Sequence, residues 1–204
     1  MTIYRGVGGV NREIKQQFRG ISGVNREIKE QYRSVGGVNR KVFKKWAGEL
    51  YDAGNTYIDK TGGWGLYYVR HSEVGSLALD TSYMTLVSNW YSSGSDGNEI
   101  EIGTANKVDV TAFNSLSVTF DAVVQSGRTD FGFALLNSKD VGAGTTIAKI
   151  TPVKLAYISD NTTVRTITMI LDISAITGQY YLGFESYAAL NSQSTIYIKT
   201  IKLS

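Results

Sequence analysis

"LSVTFDAVV", residues Leu116–Val124, sets Leu116, Val118, Phe120, Ala122 and Val124 on one side of a two-residue repeat, with Ser117, Thr119 and Asp121 on the other. Successive side chains of an extended backbone point to opposite faces, so this alternation predicts a half-buried strand. The same pattern recurs in "RTITMILDI" (Arg165–Ile173), through Ile167, Met169, Leu171 and Ile173, and in "DFGFALL" (Asp130–Leu136), through Phe131, Phe133 and Leu135. Further strands are expected at Leu66–Val69, Met84–Trp90, Glu99–Ile102, Ala148–Ile150, Tyr180–Phe184 and Ile196–Ile201. Turn-rich stretches such as "SGSDGN", "QSGRTD", "SDNTT" and "ITGQ" separate them. Many short strands with almost no helical periodicity read as a mainly-β chain, an antiparallel two-sheet sandwich of jelly-roll type. The closing stretch "STIYIKTIKLS" predicts a C-terminus tied into a sheet.

The chain has 204 residues, 42% of them hydrophobic, which is enough for one domain core and an appendage. No apolar run approaches the roughly 18 residues of a membrane span, and the N-terminus lacks the pattern of a signal peptide. With no cysteine, disulfides, zinc–thiolate sites and thiol nucleophiles are excluded. Charge divides the chain. Residues 1–46 hold eleven Lys and Arg against three Glu, a net of +8, whereas residues 47–204 carry a net of −5. The expected organisation is a basic arm over 1–46, a linker over 47–55 and the sandwich over 56–204.

The arm repeats one phrase three times with a period of fourteen: "RGVGGVNREIKQQF" from Arg5, "RGISGVNREIKEQY" from Arg19 and "RSVGGVNRKVFKKW" from Arg33. Seven glycines interrupt any continuous coil, each costing about 1 kcal/mol relative to Ala inside a helix. A short helix and a Gly turn in each unit is the expectation, with Asn11, Asn25 and Asn39 as N-caps. A β-hairpin turning at Gly8-Gly9 or Ser22-Gly23 is the alternative. Two-turn helices are too short to stand alone in water, so the arm is read as a docking segment. Its docking residues are Val10, Arg12, Ile14 and Phe18, then Val24, Arg26, Ile28 and Tyr32, then Val38, Arg40, Val42 and Trp46. Arg12, Arg26 and Arg40 on nucleic-acid phosphates is the weaker reading, because phosphate binding needs charge and not apolar residues at fixed positions.

Chemistry is scarce in the remainder. His71 is the only histidine and there is no nucleophile elbow, so no catalytic residue is assigned and His71 is read as a solvated loop residue. No pair of carboxylates is singled out as a glycosidase pair. Asp96, Asn98, Glu99 and Glu101 offer oxygens to a calcium ion but lack an EF-hand frame, and an acidic turn is the simpler reading. No metal or cofactor is therefore expected. Aromatic clusters near turns are more suggestive. "GGWGLYY" (Gly62–Tyr68), "NWY" (Asn89–Tyr91) and "GQYY" (Gly178–Tyr181) supply flat rings that stack on sugars. Trp64, Tyr68, Trp90 and Tyr91 are the candidate glycan-binding residues, with core packing the competing reading for the two tryptophans.

The arm, through "GVGGVNREIK", "GISGVNREIK" and "GVNRKVFKKW", resembles the GVNGVAR-like tandem repeats near the N-termini of virion proteins from tailed phages and prophages of Gram-positive bacteria. The stretches "TGGW" (Thr61–Trp64), "ANKVDVTAFNSLSV" (Ala105–Val118) and "LDISAITGQYYLGF" (Leu171–Phe184) resemble the carbohydrate-binding-like sandwich that often follows them. The resemblance implies an accessory virion protein, anchored to capsid or tail by the arm, present in many copies or as a homo-oligomer, and displaying the sandwich outward. Its alternative is a tail-tip module that binds host-surface glycans. A polysaccharide-degrading enzyme is disfavoured by the missing catalytic motif, and nucleic-acid and membrane partners are not expected.

Overall fold

The structure is a computed structural model of the chain. It describes residues 46–70, 72, 74–90, 97–140, 144–151, 153–156 and 164–204, together with strand residues 4–7, 10–13, 17–21, 24–28, 30–35 and 38–44. Ile14, His71 and Tyr91 fall outside these, as does Asp96. Two compact units emerge, Met1–Ala47 and Gly48–Ser204.

In the first unit the repeats form three antiparallel hairpins, not short helices. They are β1 (Tyr4–Val7) with β2 (Val10–Glu13), β3 (Gln17–Ile21) with β4 (Val24–Ile28), and β5 (Glu30–Val35) with β6 (Val38–Lys44). The innermost pairs are Val7 with Val10, Ile21 with Val24 and Val35 with Val38. Two residues rich in Gly separate each pair, the composition that two-residue hairpin connections select. Asn11, Asn25 and Asn39 lie opposite Gly6, Gly20 and Ser34 and cap no helix. The helix expectation fails because a two-turn helix returns too few hydrogen bonds for the residues it orders, while paired strands share their hydrogen bonds between two segments.

The second unit begins with β7 (Glu49–Asp52), β8 (Asn55–Thr56) and a single helical turn, α1 (Ile58–Thr61). It continues through β9 (Trp64–Val69), β10 (Gly75–Leu79), β11 (Met84–Asn89), β12 (Asn98–Thr104) and β13 (Val108–Asp109). The long strands β14 (Ser115–Ser126) and β15 (Arg128–Leu136) follow. The last five are β16 (Thr146–Lys149), β17 (Val153–Ala156), β18 (Arg165–Asp172), β19 (Gln179–Ala188) and β20 (Gln193–Leu203). One sheet runs β10-β11-β20-β14-β18, with β7 added to β20 and β8 to β7. The other runs β16-β15-β19-β12-β9, with β13 on β19 and β17 on β15. Every pairing is antiparallel, so the unit is the expected β-sandwich.

Leu116, Val118, Phe120, Ala122 and Val124 are all buried, as the opening alternation requires. They meet the inward side chains of the second sheet, and the Phe120 and Phe131 ring centroids lie 4.5 Å apart across the seam. The segment expected to be a linker belongs to the sandwich instead. Leu50 and Tyr51 are 0% and 1% exposed, and β7 pairs with β20 through Tyr51–Ile201 and Asp52–Thr200. Gly48 takes a positive φ of 94°, and a Cβ there would come within 2.0 Å of the Leu203 carbonyl oxygen. The entry to the sandwich is thereby locked to its final strand.

Candidate functional site

A row of small residues crosses the outer face of the second sheet. Gly65 lies opposite Gly103, Gly103 opposite Gly183, Gly183 opposite Ala134 and Ala134 opposite Lys149. Their neighbours Ile102, Phe184 and Phe133 point into the core and are essentially inaccessible. Because the row carries no bulky side chain, it forms a floor. Tyr67 walls one side. The β9–β12 register slips between Glu101 and Ile102, so that Glu101 faces Tyr68, Ile102 faces Leu66 and Tyr67 has no partner across the ladder. Bulges of this kind re-aim a side chain. Here the bulge lays the Tyr67 ring over Gly103, where a Cβ would meet it at 2.4 Å. The Tyr67 hydroxyl donates to the Thr104 carbonyl at 2.6 Å, and burial pushes its pKa up to about 12. On the other side Leu136 leans over Gly183. The open groove so formed has a volume of about 410 Å³, its mouth included, and Thr146, Lys149, Glu101 and Glu185 complete its lining.

Three carboxylates gather at one end. Glu99 and Glu101 alternate onto the outer face of β12, and Glu185 stands directly across from Glu101 on β19. One oxygen from each lies within 4.8 Å of the others. Arg70 Nη2 sits 3.9 Å from Glu99 and Lys149 Nζ 2.6 Å from Glu185. Glu101 is the member without a salt bridge among the described residues, and its Oε2 is buried with no hydrogen-bond partner. Burial, then Glu99, then Glu185 push its carboxyl up to about 7, against a pull downward from Lys149.

That shift has a thermodynamic consequence. Unfolded, Glu101 ionises near its ordinary value of 4.5, whereas folded it holds the proton to about 7. Between these values the folded state binds more protons, so Glu101 favours folding below the window and loses that contribution as pH rises through it. Urea unfolding should show the midpoint falling from about pH 5 to about pH 8, and Glu101→Gln should flatten the decline. An unchanged slope in the variant would contradict the buried-carboxyl geometry.

The candidates read from sequence fare unequally. Tyr68 is 42% exposed and stands across from Glu101 beside the groove. Trp64 is only 8% exposed and packs edge-on against Phe184, at 5.5 Å and 63°. It is a core residue with no free face for a sugar: simple alternation would put Trp64 and Tyr68 on one face, and the slip at Tyr67 turns Tyr68 outward while Trp64 stays inward. Trp90 is half-buried at the end of β11 in the other sheet, its backbone N–H donating to the Ser192 carbonyl at 2.7 Å, and it does not line the groove. The calcium set is corrected too. Asn98 is fully buried, and Glu99 and Glu101 cluster with Glu185 instead. Of the docking residues, Trp46 is half-buried; the side chains of the others, and Ile14 altogether, lie outside the described residues. Sequence reasoning passed over Tyr67, Glu185, Gly103, Gly183 and Lys149. The signals present were the "EIEIG" alternation and the glycine inside "YYLGF".

No protein-family model matches the sequence, and no curated protein does. Among solved structures the chain is similar to a family 29 carbohydrate-binding module, at 13% identity and a TM-score of 0.40 over 76% of this chain and 84% of that one. It is similar to a family 27 module described as recognising mannan, at 16% identity and 0.44 over 74% and 92%. It is also similar to a family 61 module in complex with β-1,4-galactotriose, at 9% identity and 0.41 over 71% and 90%. Likenesses this distant carry no functional argument.

Proposed function

We propose that the sandwich is a glycan-binding module and that the groove over the glycine row is its site. The observation that carries this is an open groove over a row of small residues with tyrosine rings and carboxylates at its margin. A sugar ring needs room to lie down, an aromatic surface for its apolar face and acceptors for its hydroxyls. Gly183 and Ala134 keep the lining low between Tyr67 and Leu136, Tyr67 and the exposed Tyr68 beside it supply the rings, and Glu101 and Glu185 the acceptors.

Glu101, with its raised pKa beside Glu185, also invites a glycosidase reading. Its geometry argues against cleavage. Glycosidase carboxyl groups flank the scissile bond, whereas Glu101 and Glu185 are cross-strand neighbours on one sheet face and approach a ligand from the same side.

The arm completes the reading. In our proposal it anchors the protein to repeated sites on a virion, capsid or tail, and the sandwich faces the host surface. What supports this is the threefold phrase itself and its resemblance to phage virion repeats. Linking weak contacts raises avidity by roughly 10²–10⁴ when the linker spans the sites.

Tyr68→Ala is the direct test, because Tyr68 is exposed and its loss leaves the core intact. A stacked ring is worth about 1–3 kcal/mol by analogy with base stacking, so glycan affinity measured by calorimetry should fall roughly ten- to a hundredfold at an unchanged melting temperature. Unaltered affinity would remove the groove from consideration.

A further inference from the structure

The sheet face that carries the groove changes electrical character beyond the groove's Leu136 margin. Four residues along β19 from Glu185, Tyr181 lies on the same face and opposite Leu136, which lines the groove. Four residues of strand span about 13 Å. Lys107 Nζ and Lys139 Nζ sit 5.6 and 5.4 Å from the Tyr181 ring centroid. Both lysines are exposed, and among the described residues neither makes a salt bridge. Two like charges gathered on one ring repel each other, and a ring face holds each with only about 0.5–1 kcal/mol at an exposed site.

Three acids at the groove do not outweigh the two lysines. The acids' charge is largely compensated. Glu185 is paired with Lys149, Glu99 faces Arg70, and Glu101 keeps its proton up to about 7. Tyr67, which lies between the two groups, keeps its phenolic proton because burial raises its pKa to about 12. Asp109, two residues from Lys107, accepts from the Thr111 N–H, and the positive pair beside Tyr181 is the charge next to the groove's Leu136 margin that no salt bridge among the described residues compensates.

From this geometry we infer that the groove takes an acidic glycan, with an anionic oxygen group of the polymer, a uronate carboxylate or a phosphodiester, seated against Lys107 and Lys139 beside Tyr181. The inference rests on the glycan-binding reading above and names the ligand class. The sandwich itself offers no general attraction, since residues 47–204 carry a net charge of −5; the arm, at +8, does attract a polyanion, and the double lysine variant below separates the two because it leaves the arm unchanged. The lysine pair also gives the ligand a direction, because the carboxyl groups accept from hydroxyls while the lysines donate to the anion.

The test is calorimetry on the full chain at low ionic strength and about pH 6, with three oligomers of equal length: an oligogalacturonate, a glycerol-phosphate oligomer and a neutral galactan. One acidic oligomer should bind at least about tenfold more tightly than the neutral one, the scale of one charge-assisted hydrogen bond, and which one binds distinguishes carboxylate from phosphate. The double variant Lys107→Gln/Lys139→Gln should erase that advantage without moving the melting temperature. Raising the pH to about 8 should weaken acidic binding as Glu101 ionises, and Glu101→Gln should remove that dependence. Equal binding of acidic and neutral oligomers, or a preference that survives the double variant, overturns the inference and leaves the glycan groove standing. Binding of no oligomer at all overturns the groove reading, and this inference with it.

Discussion

A chain beginning at Gly48 should unfold with the same midpoint as the full protein, and one beginning at Tyr57 should lose about 3–6 kcal/mol. The difference is β7. Its Leu50 and Tyr51 are wholly enclosed, and fully burying a large apolar side chain is worth about 1.5–3 kcal/mol. Removing them also leaves the β20 backbone from Thr200 to Lys202 without its ladder partner, so the measured loss should sit in the upper part of that range. A chain that starts at Tyr57 and melts with the full-length protein would show that β7 is an ornament. The shorter cut also isolates the arm. In the docking-arm reading, the chain from Gly48 folds but fails to enter particles, and removal of one fourteen-residue unit weakens attachment in a step. Normal incorporation without the arm would end that reading while leaving the sandwich untouched.

Phe184→Ala should be the most damaging single substitution, costing about 3–5 kcal/mol. Phe184 is the hub of the aromatic core. Its ring centroid lies 5.5 Å from Trp64, 5.9 Å from Phe133 and 6.4 Å from Phe131, so truncation leaves a cavity that rigid rings fill poorly. Phe184 also lies beneath the groove and contributes to its lining. Glycan affinity should therefore fall together with the melting temperature, unlike the result expected for Tyr68→Ala. A variant that keeps its stability would mean that the rings repack freely, against the close packing of protein interiors.

The barrier between what was legible and what was not follows the range of the interactions. Leu116 to Val124 announced a strand because alternation is local, and each buried position there is one that the pattern marked. The arm misled because its apolar spacing imitates a helix, while its backbone hydrogen bonds are made to a partner strand across a Gly-Gly or Ser-Gly dipeptide. Trp64 and Tyr68 could not be told apart by composition. The one-residue slip at Tyr67 decides which ring turns outward, and that slip exists only relative to β12.

By itself, then, the sequence determined the two-part division, the β-sandwich and the residues of its core, since charge and period-two alternation are properties of neighbouring residues. Only the tertiary structure decided that residues 49–52 belong to the sandwich and that Gly103, Gly183 and Ala134 form one floor. It also decided that Glu101 meets Glu185 and that two distant lysines share Tyr181. Each of these depends on strand register, which hydrogen bonds set between segments up to 153 residues apart in sequence, as between Glu49 and Lys202, and which no local pattern encodes.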